Sequence, residues 1–130
     1  MARKKRKRLP ATQTSVTHKT EIEDYRGQKH EVYITVGLYK DETPGELFIV
    51  IGKEGSTIRG VFNTVGILTS FLLQYGIPLE EICRKMEGMK YEPLGPTNNP
   101  EVAQCASITD YIFTWLRLKF GEETPVGSTD

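Results

Sequence analysis

The chain has 130 residues, with 17 Lys and Arg against 17 Asp and Glu, so its formal net charge is zero. That length suits one domain with a real core and is short for two. Only Cys83 and Cys105 are present, not in a C-x-x-C pair, and His18 and His30 stand apart. A disulfide framework and a metal centre are therefore not expected, and a reducing, cytoplasmic setting is.

The zero hides an asymmetry. Arg3, Lys4, Lys5, Arg6, Lys7 and Arg8 place six positive charges at one end, leaving the remainder with six excess negative charges. Such a head suits nucleic acid or an acidic partner, or it serves as a solvated tail. Residues 1–15 read as a basic disordered arm, 16–120 as one domain, and 121–130 as a polar disordered tail. No apolar run reaches bilayer-spanning length, and the first residues lack the apolar centre of a secretory signal.

After the arm, residues 17–23 alternate as a short polar edge strand, and 24–27 form a turn. Residues 31–39 make a stronger strand, with Val32, Ile34, Val36 and Leu38 on one face. Pro44-Gly45 turns the chain into a third strand over 46–51. Short connections make these an antiparallel meander.

The run Gly52-Lys53-Glu54-Gly55-Ser56-Thr57-Ile58-Arg59-Gly60 then joins strand to helix. A glycine-rich turn at a helix N-terminus presents unpaired N–H groups and the positive dipole end, which suit a phosphate. Lys53 and Arg59 add charge, while Gly55, Ser56 and Thr57 supply backbone and hydroxyl donors. The lysine precedes the second glycine, so this is not a Walker A loop. The structural alternative is a capped turn and nothing more.

Residues 56–75 read as a long buried helix with Ile58, Val61, Phe62, Val65, Leu68 and Leu72 in one stripe, extended by Ile67 and Phe71. A helix apolar all round belongs in a core or an oligomer interface, which predicts a homo-oligomer. Gly60 and Gly66 fit close backbone approach. A second helix starts near Pro78 and ends at Gly88. The loop over 89–99 is rich in proline and glycine, and its Tyr91 and Asn98 are candidates to cover a ligand. Asn99 and Pro100 open a third helix carrying Val102, Cys105, Ile108, Ile112, Trp115 and Leu116. The fold expected is α+β: a three-stranded meander on a long helix, with two further helices.

Catalytic constellations are weak. His18 with Glu21, Glu23 and Asp24 reads as a solvated strand face, Asp110 as an exposed or locally paired carboxylate, and Ser56 and Thr57 have no base nearby. No catalytic, metal or cofactor residues are assigned.

Taken in order, Arg8-Leu9-Pro10, Thr17-His18-Lys19, Tyr33-Ile34-Thr35-Val36-Gly37-Leu38-Tyr39, Pro44-Gly45-Glu46-Leu47-Phe48-Ile49, Lys53-Glu54-Gly55-Ser56-Thr57, Gln74-Tyr75-Gly76-Ile77-Pro78-Leu79, Asn98-Asn99-Pro100-Glu101 and Ser107-Ile108-Thr109-Asp110-Tyr111 carry a resemblance. The series resembles the C-terminal accessory region of adenosylcobalamin-dependent (class II) ribonucleotide reductases, often labelled a TSCPD domain. The likeness runs from about Arg8 to Phe120. These 130 residues hold no match to the reductase's catalytic barrel, radical cysteine, reducing cysteine pair or cobalamin site. The expectation is a non-catalytic module that binds a nucleotide or other phosphate, sequestering or sensing it. The alternatives are a module docking in trans onto a separately encoded reductase, and a nucleic-acid binder using the arm.

Overall fold

The computed structural model describes residues 5–121; Arg3, Lys4 and the expected tail beyond Gly121 lie outside them. Three strands, β1 (Thr14–Glu23), β2 (Lys29–Leu38) and β3 (Pro44–Ile51), form an antiparallel sheet in the order β1-β2-β3. Val32 sits opposite both Thr20 and Ile51, and Val36 opposite both Val16 and Leu47. The period-two pattern therefore puts Thr20, Ile22, Val32, Ile34, Val36, Leu47, Ile49 and Ile51 on one buried face. β1 is longer than expected and takes in Thr14 and Ser15, because both pair with β2.

Helix α1 (Thr57–Gln74) follows β3, then α2 (Leu79–Met86), a short ladder of β4 (Gly95–Pro96) with β5 (Gln104–Cys105), and α3 (Ile108–Phe120). The expected third helix starts later than the sequence implied. Asn99 caps only a single 3-10 turn, Pro100–Val102, through Glu101 N. The β4–β5 pairing then takes up the backbone, and Ser107 caps α3 by accepting from Asp110 N at 2.9 Å. Asp110 is not a bare surface carboxylate. Its oxygens accept from Gly88 N at 2.7 Å and Ala106 N at 2.8 Å, tying the end of α2 to the start of α3.

The central helix is α3, not α1. Ile108, Tyr111, Ile112, Phe113, Trp115 and Leu116 are all buried. α1 lies against β3 instead. A Cβ at Gly66 would stand 2.7 Å from the Leu47 carbonyl oxygen, so only glycine permits this approach. Leu47 N donates to Ser70 Oγ at 2.8 Å, and Gln74 Nε2 donates to Gly45 O at 2.9 Å. Helix side chains thus satisfy backbone groups of an edge strand.

Candidate functional site

Lys53, Gly55, Ser56, Thr57 and Arg59 do come together, at the N-terminus of α1. Gly52 (φ 74) and Gly55 (φ 85) take the left-handed conformation that lets the chain turn from β3 into the helix. Ser56 Oγ is the cap and accepts from Arg59 N at 3.3 Å. Arg59 turns back and donates from Nη1 to Gly52 O at 3.4 Å, while Lys53 and Thr57 are exposed. Part of the donor set is thereby engaged in holding the turn.

Tyr91 and Asn98 are not with them. The loop that carries them runs along β1, with β2 between it and β3. Asn98 Oδ1 accepts from Thr20 Oγ1 and Glu21 N, both at 3.0 Å, and Asn98 N donates to Glu21 O at 3.2 Å. Tyr91 bonds to Thr109 Oγ1 and accepts from Thr109 N at 3.0 Å. Here both side chains are structural: Asn98 covers the β1 edge and Tyr91 braces the start of α3. They do not cover anything bound at Lys53.

His18 also differs from its expected place. It is on the core-facing side of β1, stacked on Trp115 at 4.6 Å, with Nε2 2.7 Å from Tyr111 Oη. Asn99 Nδ2 donates to the same hydroxyl at 3.0 Å. Burial holds His18 below its ordinary value and raises Tyr111. Only Glu21 and Glu23 keep the outward face, which the even spacing of His18, Thr20 and Ile22 allowed to be found. Burial also pushes Cys83 up to about 12 and raises Cys105, so neither is an activated thiol. Among the described residues no three His, Cys, Asp or Glu side chains converge as a metal site.

The feature that sequence reasoning placed only half correctly is the outer face of α1. Val61, Ile67, Leu68, Phe71 and Leu72 are between 40% and 57% exposed. They recur at three- and four-residue spacing with Gly60 and Thr64 and with no charged side chain among them. Isolated exposed apolar residues are ordinary, whereas a continuous stripe of five is not.

Two parts of the basic segment are visible. Lys7 N donates to Gln74 O at 2.8 Å, Arg6 Nε donates to Gln74 Oε1 at 2.5 Å, and the Arg6 guanidinium lies 4.3 Å over the Phe71 ring. From Lys5 onward the arm is docked on the domain. No helix among the described residues is long and apolar enough to cross a membrane.

A family profile described as TSCPD domain matches residues 3–120. A vitamin B12-dependent ribonucleotide reductase of Rhodopirellula baltica is 45% identical over 116 residues, which is 89% of this chain and 11% of that protein. The Streptomyces avermitilis protein of the same name is 39% identical over 115 residues, again 11% of its length, and that of Bradyrhizobium diazoefficiens 33% over 118, or 9%. The chain thus spans about a tenth of the curated relatives it matches. No solved structure matches it significantly.

Proposed function

Because the chain belongs to the TSCPD domain family, we propose that it is an accessory docking module of ribonucleotide reduction, seated through the open face of α1 on the catalytic part of a ribonucleotide reductase. The observation that carries this reading is the exposed apolar stripe of Val61, Ile67, Leu68, Phe71 and Leu72, which meets a charge only where Arg6 lies over Phe71. Half-exposed side chains of this size offer on the order of 80 Å² each, so five give about 400 Å² of apolar area. With the surrounding polar rim, a two-sided interface reaches about 1,000 Å², the lower bound for a specific complex. The relatives supply the occupant, since about nine-tenths of each lies outside the matched region.

The test is to delete the matching region from the Rhodopirellula baltica reductase, add this chain, and follow association by sedimentation velocity. A one-to-one complex is expected, weakened at least tenfold by Leu68→Asp. That position is solvent-exposed, so the variant should still fold, as circular dichroism would verify. No association at 50 μM chain, about the upper range for useful docking, overturns the reading. So does a chain that dimerises through this face and ignores the reductase.

A second reading concerns the turn before α1. The positive φ of Gly52 and Gly55, with Lys53 exposed beside Thr57, favours a phosphate at the helix N-terminus. Calorimetric titration of a nucleotide panel tests it. Lys53→Ala and Arg59→Ala should each weaken binding, and unchanged affinity in both would reduce the turn to a cap.

A further inference from the structure

The docked basic segment forms a surface of its own. Lys5, Lys7 and Arg8 are exposed, and Lys40, in the β2–β3 turn, is exposed beside them. Two adjoining hollows, of about 320 and 460 Å³, meet at Lys7 and Tyr39. One reaches Lys5 and Tyr75, the other Arg8 and Lys40. Tyr39 fixes the centre by donating to Lys7 O at 2.5 Å, with the Lys7 ammonium 4.9 Å over its ring. The ion pairs found among the described residues, Lys19–Glu31, His30–Asp24 and Arg117–Glu87, involve none of these cations. The acidic neighbours are Asp41, which lines the second hollow and bonds Thr43, and Glu46, which accepts from Gln13; neither forms an ion pair with these cations.

We propose that this face binds single-stranded nucleic acid through its phosphodiester backbone. Residues 5–8 have no helical or strand structure, and Lys5, Lys7 and Arg8 are exposed along them. A run of cations suits the regularly spaced charges of a phosphodiester chain, and the half-buried Tyr75 beside it gives an aromatic wall against which a base can lie. The zero net charge sharpens this. Since 1–8 carry six positive charges, the rest of the chain carries six excess negative ones, so on balance it disfavours a polyanion. An acidic polypeptide shares the charge but gains nothing from the aromatic wall.

The probes are fluorescent dT20, U20 and a 20-residue polyglutamate, read by anisotropy with the full chain. Neutralising four phosphates gives a slope of log K against log salt near −2.8, or about a 50-fold loss of affinity between 50 and 200 mM salt. The triple variant Lys5→Ala, Arg8→Ala and Lys40→Ala should lose at least tenfold at 50 mM and flatten the slope to about −0.7. These side chains are exposed and make no hydrogen bond among the described residues, so an unchanged melting temperature is expected. Lys85→Ala, on α2, is the control and should bind as wild type. The proposal is overturned if dT20 and U20 do not bind at 50 mM salt, if polyglutamate binds as tightly as either, or if the triple variant keeps its affinity.

Discussion

Gly60 and Gly66 are both in α1, and the structure assigns them opposite responses to alanine. At Gly66 the new Cβ would stand 2.7 Å from Leu47 O, 3.5 Å from Leu47 C and 3.7 Å from Phe48 Cα, all backbone atoms that cannot rotate away. Alanine gains about 1 kcal/mol of helix propensity. Against this, separating helix from strand costs about 1–3 kcal/mol of packing and about 1 kcal/mol for the Leu47–Ser70 hydrogen bond. The net expectation is a loss on the order of 1–3 kcal/mol. For a chain of this size that lowers Tm by roughly 4–10 °C. At Gly60 nothing lies within 4 Å of the added Cβ, so Gly60→Ala should stabilise the isolated chain by about 0.5–1 kcal/mol. Urea denaturation of both variants reads the two signs directly. If Gly66→Ala is as stable as Gly60→Ala, α1 does not approach β3 as described, and the account of the covered strand edge fails with it. The same pair bears on docking. Gly60 belongs to the open stripe, so a stabilised Gly60→Ala chain that binds the truncated reductase more weakly would show that a partner approaches the helix backbone there.

Three other outcomes follow from named contacts. Asn98→Ala strips an acceptor from the buried Thr20 hydroxyl and the Glu21 amide and should cost about 1–3 kcal/mol, whereas Asn98→Asp keeps the acceptor and should recover most of it; equal losses in urea would refute this. Burial holds His18 below its ordinary value near 6.5, so the unfolded chain binds its proton first, and stability should fall as pH drops below about 6.5. Asp24 and Asp41, held low by hydrogen bonds, contribute their own loss only nearer pH 4, so a melting series from pH 8 to 5.5 avoids them, and the part lost in His18→Gln is the contribution of His18. Cys83 and Cys105 are buried, with thiols shifted upward, so a thiol reagent at pH 8 should label them only after unfolding; rapid native labelling would contradict their placement.

The meander was legible because Val32, Ile34, Val36 and Leu38 alternate cleanly, although Pro44-Gly45, expected at the turn, opens β3, and the turn falls at 39–43 with Glu42 at φ 67. The course of the chain after Asn99 was not. Val102 and Cys105 keep helical spacing with Ile108 and are buried, so the pattern matched a helix although β5, paired with β4, intervenes. Local capping by Ser107 and Asp110 decided that boundary, and capping competes poorly with a periodic stripe when only sequence is read. For the candidate site, the turn 52–59 was readable from its glycines, because positive φ leaves that signature. Tyr91 and Asn98 were misplaced for a different reason. Their partners, Thr109 and Thr20, lie 18 and 78 residues away, and nothing local announces such pairs.

The basic segment shows how one stretch of chain can satisfy two demands. α1 has no basic residue in its last turn; Phe71 O, Leu72 O and Leu73 O accept from Tyr75 N, Ile77 N and Gly76 N, which leaves Gln74 O for a partner from elsewhere. Arg6 and Lys7 arrive from the start of the chain at that same end, through Gln74 O and Gln74 Oε1, and Arg6 covers part of Phe71. The Arg6 side chain and the Lys7 amide therefore have a structural role that a solvated tail would not. Lys5, Arg8 and Lys40 have no such role among the described contacts, yet they are held beside the docked pair. Fixing Arg6 and Lys7 removes most of the ordering entropy that a free arm would lose on meeting a polyanion. A docked arm should accordingly bind with a smaller entropic penalty than the same eight residues as a free peptide. Comparing the peptide 1–8 with the full chain on dT20, by calorimetry at matched salt, measures that difference. The full chain should bind more tightly even though its body is acidic. A peptide that binds equally well or better would mean that docking contributes nothing, and that net charge alone governs the surface.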